Sequence, residues 1–476
     1  MRFLDLGIVA LYLVGITLFG ARFRRRQSTL KDYFLGGRTA PWWAIALSIV
    51  SAETSTLTII GTPALAFQGN LGFLQIVLGY LLARIVISFL FLPHYFRGEI
   101  FTAYELIRRR FGERLRSLTA LTFLITRSLA EGVRVFAISI VISIILGTGE
   151  VASIVLIVGL TLFYTFEGGM TAVIWTDVIQ MTLYVVGAAL SFVVILQKIP
   201  GGWEHVAAVA VPLGKLQIFD FHFAFTREFF SRTYSFWAGI AGGCFLTTAT
   251  HGTDQLMVQR LLSAKTQGDS RKALLGSWVV ILIQFTMFLL IGVMLFVFYS
   301  DSRLPPPQPA DRLYPQFIWQ FLPPGVAGII MAAILAAAMA NISAALNSLA
   351  STTIVDFYKP RSTGSEARYL KLSRYATVAW GLVLLWIGLL ARQWGSVLEA
   401  GLAIASIPFG ALLGVFLLGT LTKRVRENEA IAAMLAGLAL MTWVRFGTTI
   451  AWTWYVLIGT TVTFAVGYGA SLFQRR

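Results

Sequence analysis

The chain has 476 residues, of which 57% are hydrophobic and 13% are charged, and its mean hydropathy is +0.76. A water-soluble globule could not bury that much apolar surface, so the composition excludes a soluble domain and indicates that lipid is the solvent. The net charge of +16 does not indicate nucleic-acid binding, because the basic residues cluster in alternate connections between apolar blocks.

The apolar residues form about thirteen blocks, each roughly 18–30 residues long. Such a block crosses about 30 Å of hydrocarbon as an α-helix, so the pattern predicts an all-α polytopic membrane protein. The predicted spans are 3–21, 42–67, 70–96, 117–147, 151–166, 171–197, 233–253, 273–299, 322–355, 372–393, 396–420, 428–447 and 449–471.

The distribution of arginine and lysine predicts the orientation in a cell inner (plasma) membrane. The first block is expected to be a retained helix and not a cleaved signal peptide, because the run Arg22–Arg26 follows it instead of preceding it. Basic connections, such as Arg108–Arg116 and Arg260–Lys272, are expected to be cytoplasmic. An odd number of spans then places the N-terminus outside and the C-terminus in the cytoplasm.

Two spans contain polar runs at depths where unsatisfied backbone is unfavourable in lipid, namely 51–56 and 247–254. Each of these spans begins a group of five, and broken helices at matching places in two inverted halves are typical of a transporter site. The alternative is that the serine and threonine side chains bond to carbonyls of their own helices and hold helices together.

The domain organisation predicted from these groups is one transmembrane domain over 1–476. The first five-helix repeat is expected at 42–197 and the second at 233–420. One extra helix, 3–21, precedes the repeats, and two helices within 428–471 follow them.

The chain resembles the sodium/solute symporters, a family that includes carriers of proline, sugars, sialic acid, iodide and vitamins. The resemblance implies the leucine-transporter fold, with a 5+5 inverted repeat. The motifs that carry it are Asp32–Arg38 with Pro41–Trp43, Glu167–Gly169 with Ala172–Gln180, Gly252–Gln255 with Val258–Arg260, Ala345–Ser348 with Asp356, and Gly414–Gly419 with Lys423–Arg424.

The resemblance also implies a sodium ion between the first broken helix and the ninth span. Its ligands would be the carbonyl oxygens of Ser51, Thr54 and Ala337 and two adjacent hydroxyl groups. This chain has Ala340 and Asn341 at the hydroxyl positions. Asn341 offers an amide oxygen, whereas the side chain of Ala340 offers no ligand. Hydroxyl groups of Ser51 and Thr54, or the carboxylate of Glu53, could compensate.

Asp177 matches an intramembrane carboxylate that some family members use for a second sodium ion or for a proton. Charged groups inside a membrane are unfavourable and usually functional. Ser343 is the expected partner of Asp177 at this site. The alternative is that Asp177 stabilises a helix N-terminus or forms a structural ion pair.

The solute is expected between the two broken helices and the span 117–147. Helical spacing places Arg127, Glu131 and Arg134 of that span on one face. Arg134 is the predicted anchor for a carboxylate, because guanidinium groups bind carboxylates through two parallel hydrogen bonds. The alternative is that the three charges only neutralise one another. Arg84 is a further possible partner for Glu53 or Glu131. The other expected lining residues are Glu53, Ser55, Thr58, Thr247, Thr250, His251 and Glu399.

The predicted function is cation-coupled symport, with sodium favoured, of a small organic solute by alternating access. A carboxylate-bearing solute is expected, either an amino acid or a monocarboxylate. Sugar is disfavoured, because Ile281 and Thr247 stand at the family's sugar-binding positions. The alternative is a proton-coupled or uncoupled transporter, or a transport-derived sensor, with a degraded sodium site.

Other function classes find no support in the sequence. It contains no catalytic or nucleotide-binding motif, so an enzyme and an organic cofactor are not expected. Four scattered histidines and one cysteine predict no metal site other than that for sodium. The expected partners are the small-molecule substrate and the lipid bilayer, with neither nucleic acid nor an obligatory protein partner.

Overall fold

A computed structural model of the chain describes residues 2–22, 29–97, 100–308, 310–391 and 397–473. Side chains at 20, 21, 164, 166–169 and 397–405 are not part of this description. Most of the basic run Arg22–Arg26, the motif Glu167–Gly169 and the side chain of Glu399 therefore lie outside the described residues. Within the described ranges the structure is helical and has no β-strand, apart from an isolated bridge between Ala40 and Ala264.

The described residues up to Ala210 form ten α-helices. These are α1 (Phe3–Ala21), α2 (Leu30–Leu35), α3 (Trp42–Glu53), α4 (Thr56–Gln68), α5 (Leu74–Val86), α6 (Leu92–Tyr95), α7 (Ala103–Arg110), α8 (Glu113–Leu146), α9 (Glu150–Lys198) and α10 (Gly202–Ala210).

The described residues after Ala210 form ten more. These are α11 (Arg227–Ser231), α12 (Gly243–Gly252), α13 (Gln255–Leu262), α14 (Gln267–Ser302), α15 (Leu313–Phe321), α16 (Val326–Thr352), α17 (Glu366–Ala391), α18 (Val397–Leu421), α19 (Glu427–Gly447) and α20 (Tyr455–Leu472). Short π-helical segments lie at Ile87–Phe91, Ala238–Gly242 and Thr353–Tyr358, and 3₁₀ turns lie at Gly36–Arg38, Ala310–Arg312, Lys359–Arg361 and Trp452–Trp454.

Among the described residues, eight helical segments are long and apolar enough to cross a bilayer, and the pair α3–α4 makes a ninth. Shorter apolar helices lie at Phe3–Phe19, Glu150–Phe163 and Ser406–Leu421. These segments coincide with predicted spans. The total of thirteen spans stays a prediction.

The first predicted break is confirmed. Helix α3 ends at Glu53, Thr54 and Ser55 are extended, and α4 leaves at an angle of 63° to α3. The Ser55 backbone N–H donates to Thr58 Oγ1 at 3.3 Å, so local side chains satisfy part of the interrupted backbone.

The second break lies at the end of the predicted run 247–254. The segment Thr247–His251 is helical, and Thr250 Oγ1 donates to Thr247 O at 3.4 Å within it. The chain leaves the helix at Thr253 and Asp254. The Asp254 carboxylate then caps α13 by accepting from Leu256 N at 2.9 Å.

Helix α13 is buried on all sides, and Asp254, Gln255 and Arg260 are each at most 1% exposed. The sequence placed Arg260 at the start of an exposed basic connection, whereas the structure buries its side chain. A helix of eight residues carries too little periodic signal to reveal which of its side chains are buried.

Helix α9 is continuous over 49 residues, where two spans, 151–166 and 171–197, were predicted. A straight helix of that length measures roughly 73 Å, more than twice the hydrocarbon thickness. It therefore combines two apolar stretches, Glu150–Phe163 and Met170–Lys198.

The centre of the molecule is α16, whose side chains are almost all buried. It packs against α1, α3, α8, α9 and α17. Its many alanine residues permit this close approach from several sides. The first break thus lies against α16, while α4 and α8 pack together and α13 also contacts α16.

Candidate functional site

A cavity of about 170 Å³ lies between the two broken helices and α8. Arg127 and Arg134 line it from α8, and Phe73, Tyr80 and Phe285 add aromatic surface. Glu131 is not among the lining residues, since it is fully buried behind them. The predicted lining residues that the cavity brings together are Glu53, Ser55, Thr58, Thr247, Thr250, His251 and Arg134.

Glu53 is held by two basic side chains. Arg84 Nη2 donates to Glu53 Oε2 at 2.5 Å, and His251 Nε2 lies 3.2 Å from the same oxygen. Arg84 also donates to Ser277 Oγ at 3.2 Å. The sequence indicated Glu53 and Glu131 as possible partners of Arg84, and the structure pairs Arg84 with Glu53. The contacts of Glu53 with Arg84 and His251 join α3 to α5 and α12.

The three charged residues of α8 have different surroundings. Glu131 Oε2 lies 2.7 Å from Arg134 Nη1 and 3.9 Å from Arg127 Nη1. Arg127 also pairs with Asp254, a partner that the sequence did not indicate because the two residues lie 127 positions apart. Arg127 is thus shared between two carboxylates. Arg134 is 23% exposed, and within the described residues only its Nη1 atom donates a hydrogen bond to the protein.

The residues of the predicted sodium site also meet. Asn341 Nδ2 donates to the carbonyl oxygens of Thr54 at 2.8 Å, Ala337 at 2.9 Å and Ser51 at 3.4 Å. The sequence predicted that the amide oxygen would face this point, but the structure places the nitrogen there. Ala340 is buried beside it.

The hydroxyl group of Thr54, which could compensate for Ala340, is already engaged. It accepts a hydrogen bond from Gln284 Nε2 at 2.6 Å, and Gln284 also donates to Tyr184 Oη at 3.1 Å. Gln284 carries no sequence signal, because a single amide in an apolar span has many possible partners.

Asp177 is fully buried, and one of its carboxylate oxygens accepts two hydrogen bonds. Oδ2 accepts from Ser48 Oγ at 2.5 Å and from Arg260 Nη2 at 2.9 Å. The predicted contact with Ser343 is not among the hydrogen bonds. Asp177 Oδ1 and Ser343 Oγ are instead buried oxygens without hydrogen-bond partners in the described part of the chain.

Helices α9 and α16 run antiparallel and bring Asp177 to the level of Ser343. Asn347 Nδ2 lies 3.8 Å from Met170 Sδ, and an added Cβ at Gly187 would lie 2.9 Å from Ala333 Cβ. Asp177 lies between the two α9 positions and Ser343 between the two α16 positions. These contacts thus place Asp177 and Ser343 at similar heights on two packed helices.

A model of the sodium:solute symporter family matches residues 33–437, most of the chain. The chain belongs to this family. It therefore carries out sodium-coupled solute symport as a multi-pass membrane protein, it is not an enzyme, and sodium is the coupled ion.

Curated relatives cover nearly the whole chain. The sodium/iodide cotransporter of Homo sapiens is 29% identical over 460 residues, which are 94% of this chain and 70% of that protein. The sodium-coupled monocarboxylate transporter 2 of Bos taurus is 29% identical over 92% of this chain and 71% of its own length. The sodium/sialic acid symporter SiaT of Proteus mirabilis is 28% identical over 96% of this chain and 92% of its own length.

Solved structures confirm the leucine-transporter fold. A sodium-coupled sialic acid symporter in a substrate-bound, outward-open state matches with a TM-score of 0.89 and 26% identity, over 99% of this chain and 98% of that chain. The nucleobase-cation-symport-1 transporter Mhp1 matches with a TM-score of 0.58 and 12% identity, over 92% and 93% of the two chains. The second match supports the fold alone.

Proposed function

We propose that the transported solute is a small carboxylate-bearing anion and that Arg134 anchors its carboxylate. The observation that carries this proposal is that Arg134 lines the cavity with only Nη1 donated to Glu131. The guanidinium group has five N–H donors in a planar fork, so its other nitrogens can bind a second carboxylate.

The charges around the cavity favour a monocarboxylate over an amino acid. A free carboxylate in the cavity would favour the ammonium group of an amino acid, as Arg134 favours a carboxylate. The cavity acids Glu53 and Asp254 are already paired, with Arg84 and Arg127 respectively. Releasing Glu53 would leave the buried Arg84 without its carboxylate, and releasing Asp254 would leave Arg127 only the more distant Glu131, 3.9 Å away. Uncompensated buried charge is strongly unfavourable.

The relatives support an anionic solute. Their names specify iodide, monocarboxylate and sialic acid, each of which is an anion at neutral pH. An amino acid remains the second candidate, because the sequence-based argument for Arg134 applies to its carboxylate equally.

We further propose that Asp177 and Ser343 bind the co-transported sodium ion. Both offer a buried oxygen without a hydrogen-bond partner in the described residues. Arg260 and Ser48 orient the carboxylate through its other oxygen. Hard oxygen ligands suit an alkali cation, and burial without a ligand would be unfavourable for both oxygens.

Transport proceeds in this proposal by rocking of one helix bundle against the other around the cavity, with the repeats at 42–197 and 233–420. The N-terminus lies outside and the C-terminus in the cytoplasm. Basic residues concentrated in alternate connections support this orientation, although Arg260 is buried and does not contribute to it.

Uptake by purified protein in proteoliposomes tests the proposal. Labelled lactate, pyruvate, alanine, proline and galactose are compared with an inward sodium gradient, and again with potassium replacing sodium. We expect uptake of a monocarboxylate that needs the sodium gradient. Sodium-driven uptake of galactose in preference to every acid would contradict the carboxylate proposal while leaving symport intact.

A further inference from the structure

The first break leaves two carbonyl oxygens without their helical donors. In a continuous helix Ser51 O would accept from Ser55 N and Thr54 O from Thr58 N. Here Ser55 N donates to a side-chain oxygen, Thr58 Oγ1, and Thr58 N donates to Ser55 O at 2.8 Å. Two buried backbone acceptors therefore need another partner.

The amide group of Asn341 supplies that partner. The two hydrogens on its nitrogen are shared among three acceptors, which are Thr54 O at 2.8 Å, Ala337 O, one helical turn earlier on α16, at 2.9 Å, and the more distant Ser51 O at 3.4 Å. Three carbonyl dipoles that converge on one point attract positive charge, and the two amide hydrogens provide partial positive charge there. With the amide reversed, Oδ1 would face three carbonyl oxygens and repel them.

An ion bound by these carbonyls would occupy the point where the nitrogen lies. The residue types do not favour an ion there, since Ala340 has no side-chain ligand and the hydroxyl group of Thr54 accepts from Gln284. Asn341 Oδ1 is turned away and has no hydrogen-bond partner in the described residues. The site that the family resemblance implied is thus filled by a protein group.

We propose that the Asn341 amide replaces a sodium ion at this site and that the chain couples solute transport to sodium bound elsewhere. This inference rests on the proposed function, in which Asp177 and Ser343 bind the coupled ion. The amide holds α3 against α16 whether or not sodium is present. One sodium ion fewer is then coupled to each solute than in a chain with hydroxyl groups at both 340 and 341.

Two variants distinguish a site filled by the Asn341 amide from a site that binds sodium. Ala340→Ser adds one hydroxyl group and keeps the amide, whereas Ala340→Ser with Asn341→Ser restores the hydroxyl pair and removes the amide. Ala350→Ser, at a buried alanine near the end of α16 and about two turns beyond Ser343, is the matched control. Thermal unfolding of the solute-free protein is measured across a sodium titration at constant ionic strength with potassium.

We expect Ala340→Ser to keep the wild-type half-saturating sodium concentration within about twofold, because the amide still fills the site. The double variant gains an additional sodium-dependent stabilisation. In proteoliposomes the double variant couples one more sodium ion to each solute. At equilibrium its ratio of internal to external solute therefore rises by a factor equal to the imposed ratio of external to internal sodium. A lower half-saturating sodium concentration in Ala340→Ser alone, or no gain in the double variant, would overturn the proposal.

Asn341→Ala provides an independent measurement. Loss of the amide exposes the freed carbonyls, so the variant is less stable in potassium, and sodium restores part of that stability. If the variant instead needs more sodium for half-saturation than the wild type, the amide is a sodium ligand and the proposal is wrong. If the wild type shows no sodium-driven uptake, that result contradicts the proposed function. The unfolding measurements still test whether the Asn341 amide replaces a sodium ion.

Discussion

Arg84 and Glu53 form an ion pair with 2.5 Å between Nη2 and Oε2, and the arginine side chain is completely buried. The pair joins the residue at which α3 ends to α5, across the wall of the cavity. His251 on α12 lies 3.2 Å from the same carboxylate oxygen. One carboxylate therefore connects the first broken helix with the helix that leads into the second break.

Glu53→Gln should strongly destabilise the protein, because it leaves the Arg84 charge buried and uncompensated. Breaking a buried pair on one side costs about 3–5 kcal/mol. Thermal unfolding in detergent measures the loss. Glu228→Gln is the control, since Glu228 pairs with Arg232 but is 73% exposed. Equal stability of Glu53→Gln and the wild type would show that the Arg84 charge has another acceptor.

Removing both charges should recover part of that stability. Glu53→Gln combined with Arg84→Gln leaves no unpaired charge, so the double variant should unfold at a higher temperature than Glu53→Gln alone. If the loss of stability in the double variant equals the sum of the losses in Glu53→Gln and Arg84→Gln, the two residues do not interact.

The sequence predicted the helical spans well, because a bilayer requires apolar blocks of a fixed length. It predicted the first break, where polar residues interrupt an apolar run. It did not predict the short helices α2, α7, α13 and α15, because elements of six to nine residues carry little periodic signal. The burial of α13 depends on tertiary partners that local composition does not reveal.

Arg134→Lys should weaken solute binding about tenfold or more, roughly 1.4 kcal/mol, because a lysine ammonium cannot form two parallel hydrogen bonds with a carboxylate. The concentration of solute that half-saturates uptake, measured at saturating sodium, checks this. Arg424→Lys is the control, because Arg424 lies exposed in the connection between α18 and α19. Unchanged affinity in a stable Arg134→Lys protein would mean that the α8 charges are a structural cluster.

Ser343→Ala should raise the half-saturating sodium concentration of uptake, because it removes one oxygen from the proposed cation site. Ser348→Ala on the same helix is the control, since the Ser348 hydroxyl is also buried but donates to Ala345 O at 3.0 Å. A sodium titration of solute uptake distinguishes the two variants. If both behave like the wild type, Ser343 does not bind sodium.

The sequence placed individual site residues better than it placed their partners. Arg134 and Asp177 were recognisable because charge within an apolar span is rare. The pairing of Arg127 with Asp254 and of Asp177 with Arg260 was not, because each joins helices far apart in the chain. The orientation of the Asn341 amide was also beyond sequence reasoning, because it depends on which backbone carbonyls the break sets free.

Gly292→Ala should destabilise the contact between α14 and α4. A Cβ atom at Gly292 would lie 2.2 Å from Pro63 O and 2.9 Å from Ala66 Cβ, so one helix must move. Because α4 follows the first break and lines the cavity through Thr58, Thr62 and Leu65, that shift should also weaken solute binding.

Gly159→Ala on α9 is the matched control, since an added Cβ there meets no atom within 4 Å. Overpacking at Gly292 should cost about 1–3 kcal/mol, whereas Gly159→Ala should be neutral or slightly stabilising, because alanine favours the helical backbone more than glycine does. Thermal unfolding and the half-saturating solute concentration are measured for both variants. Equal behaviour of the two would mean that α4 and α14 can separate without penalty, and the expected effect of Gly292→Ala on solute binding would then be wrong.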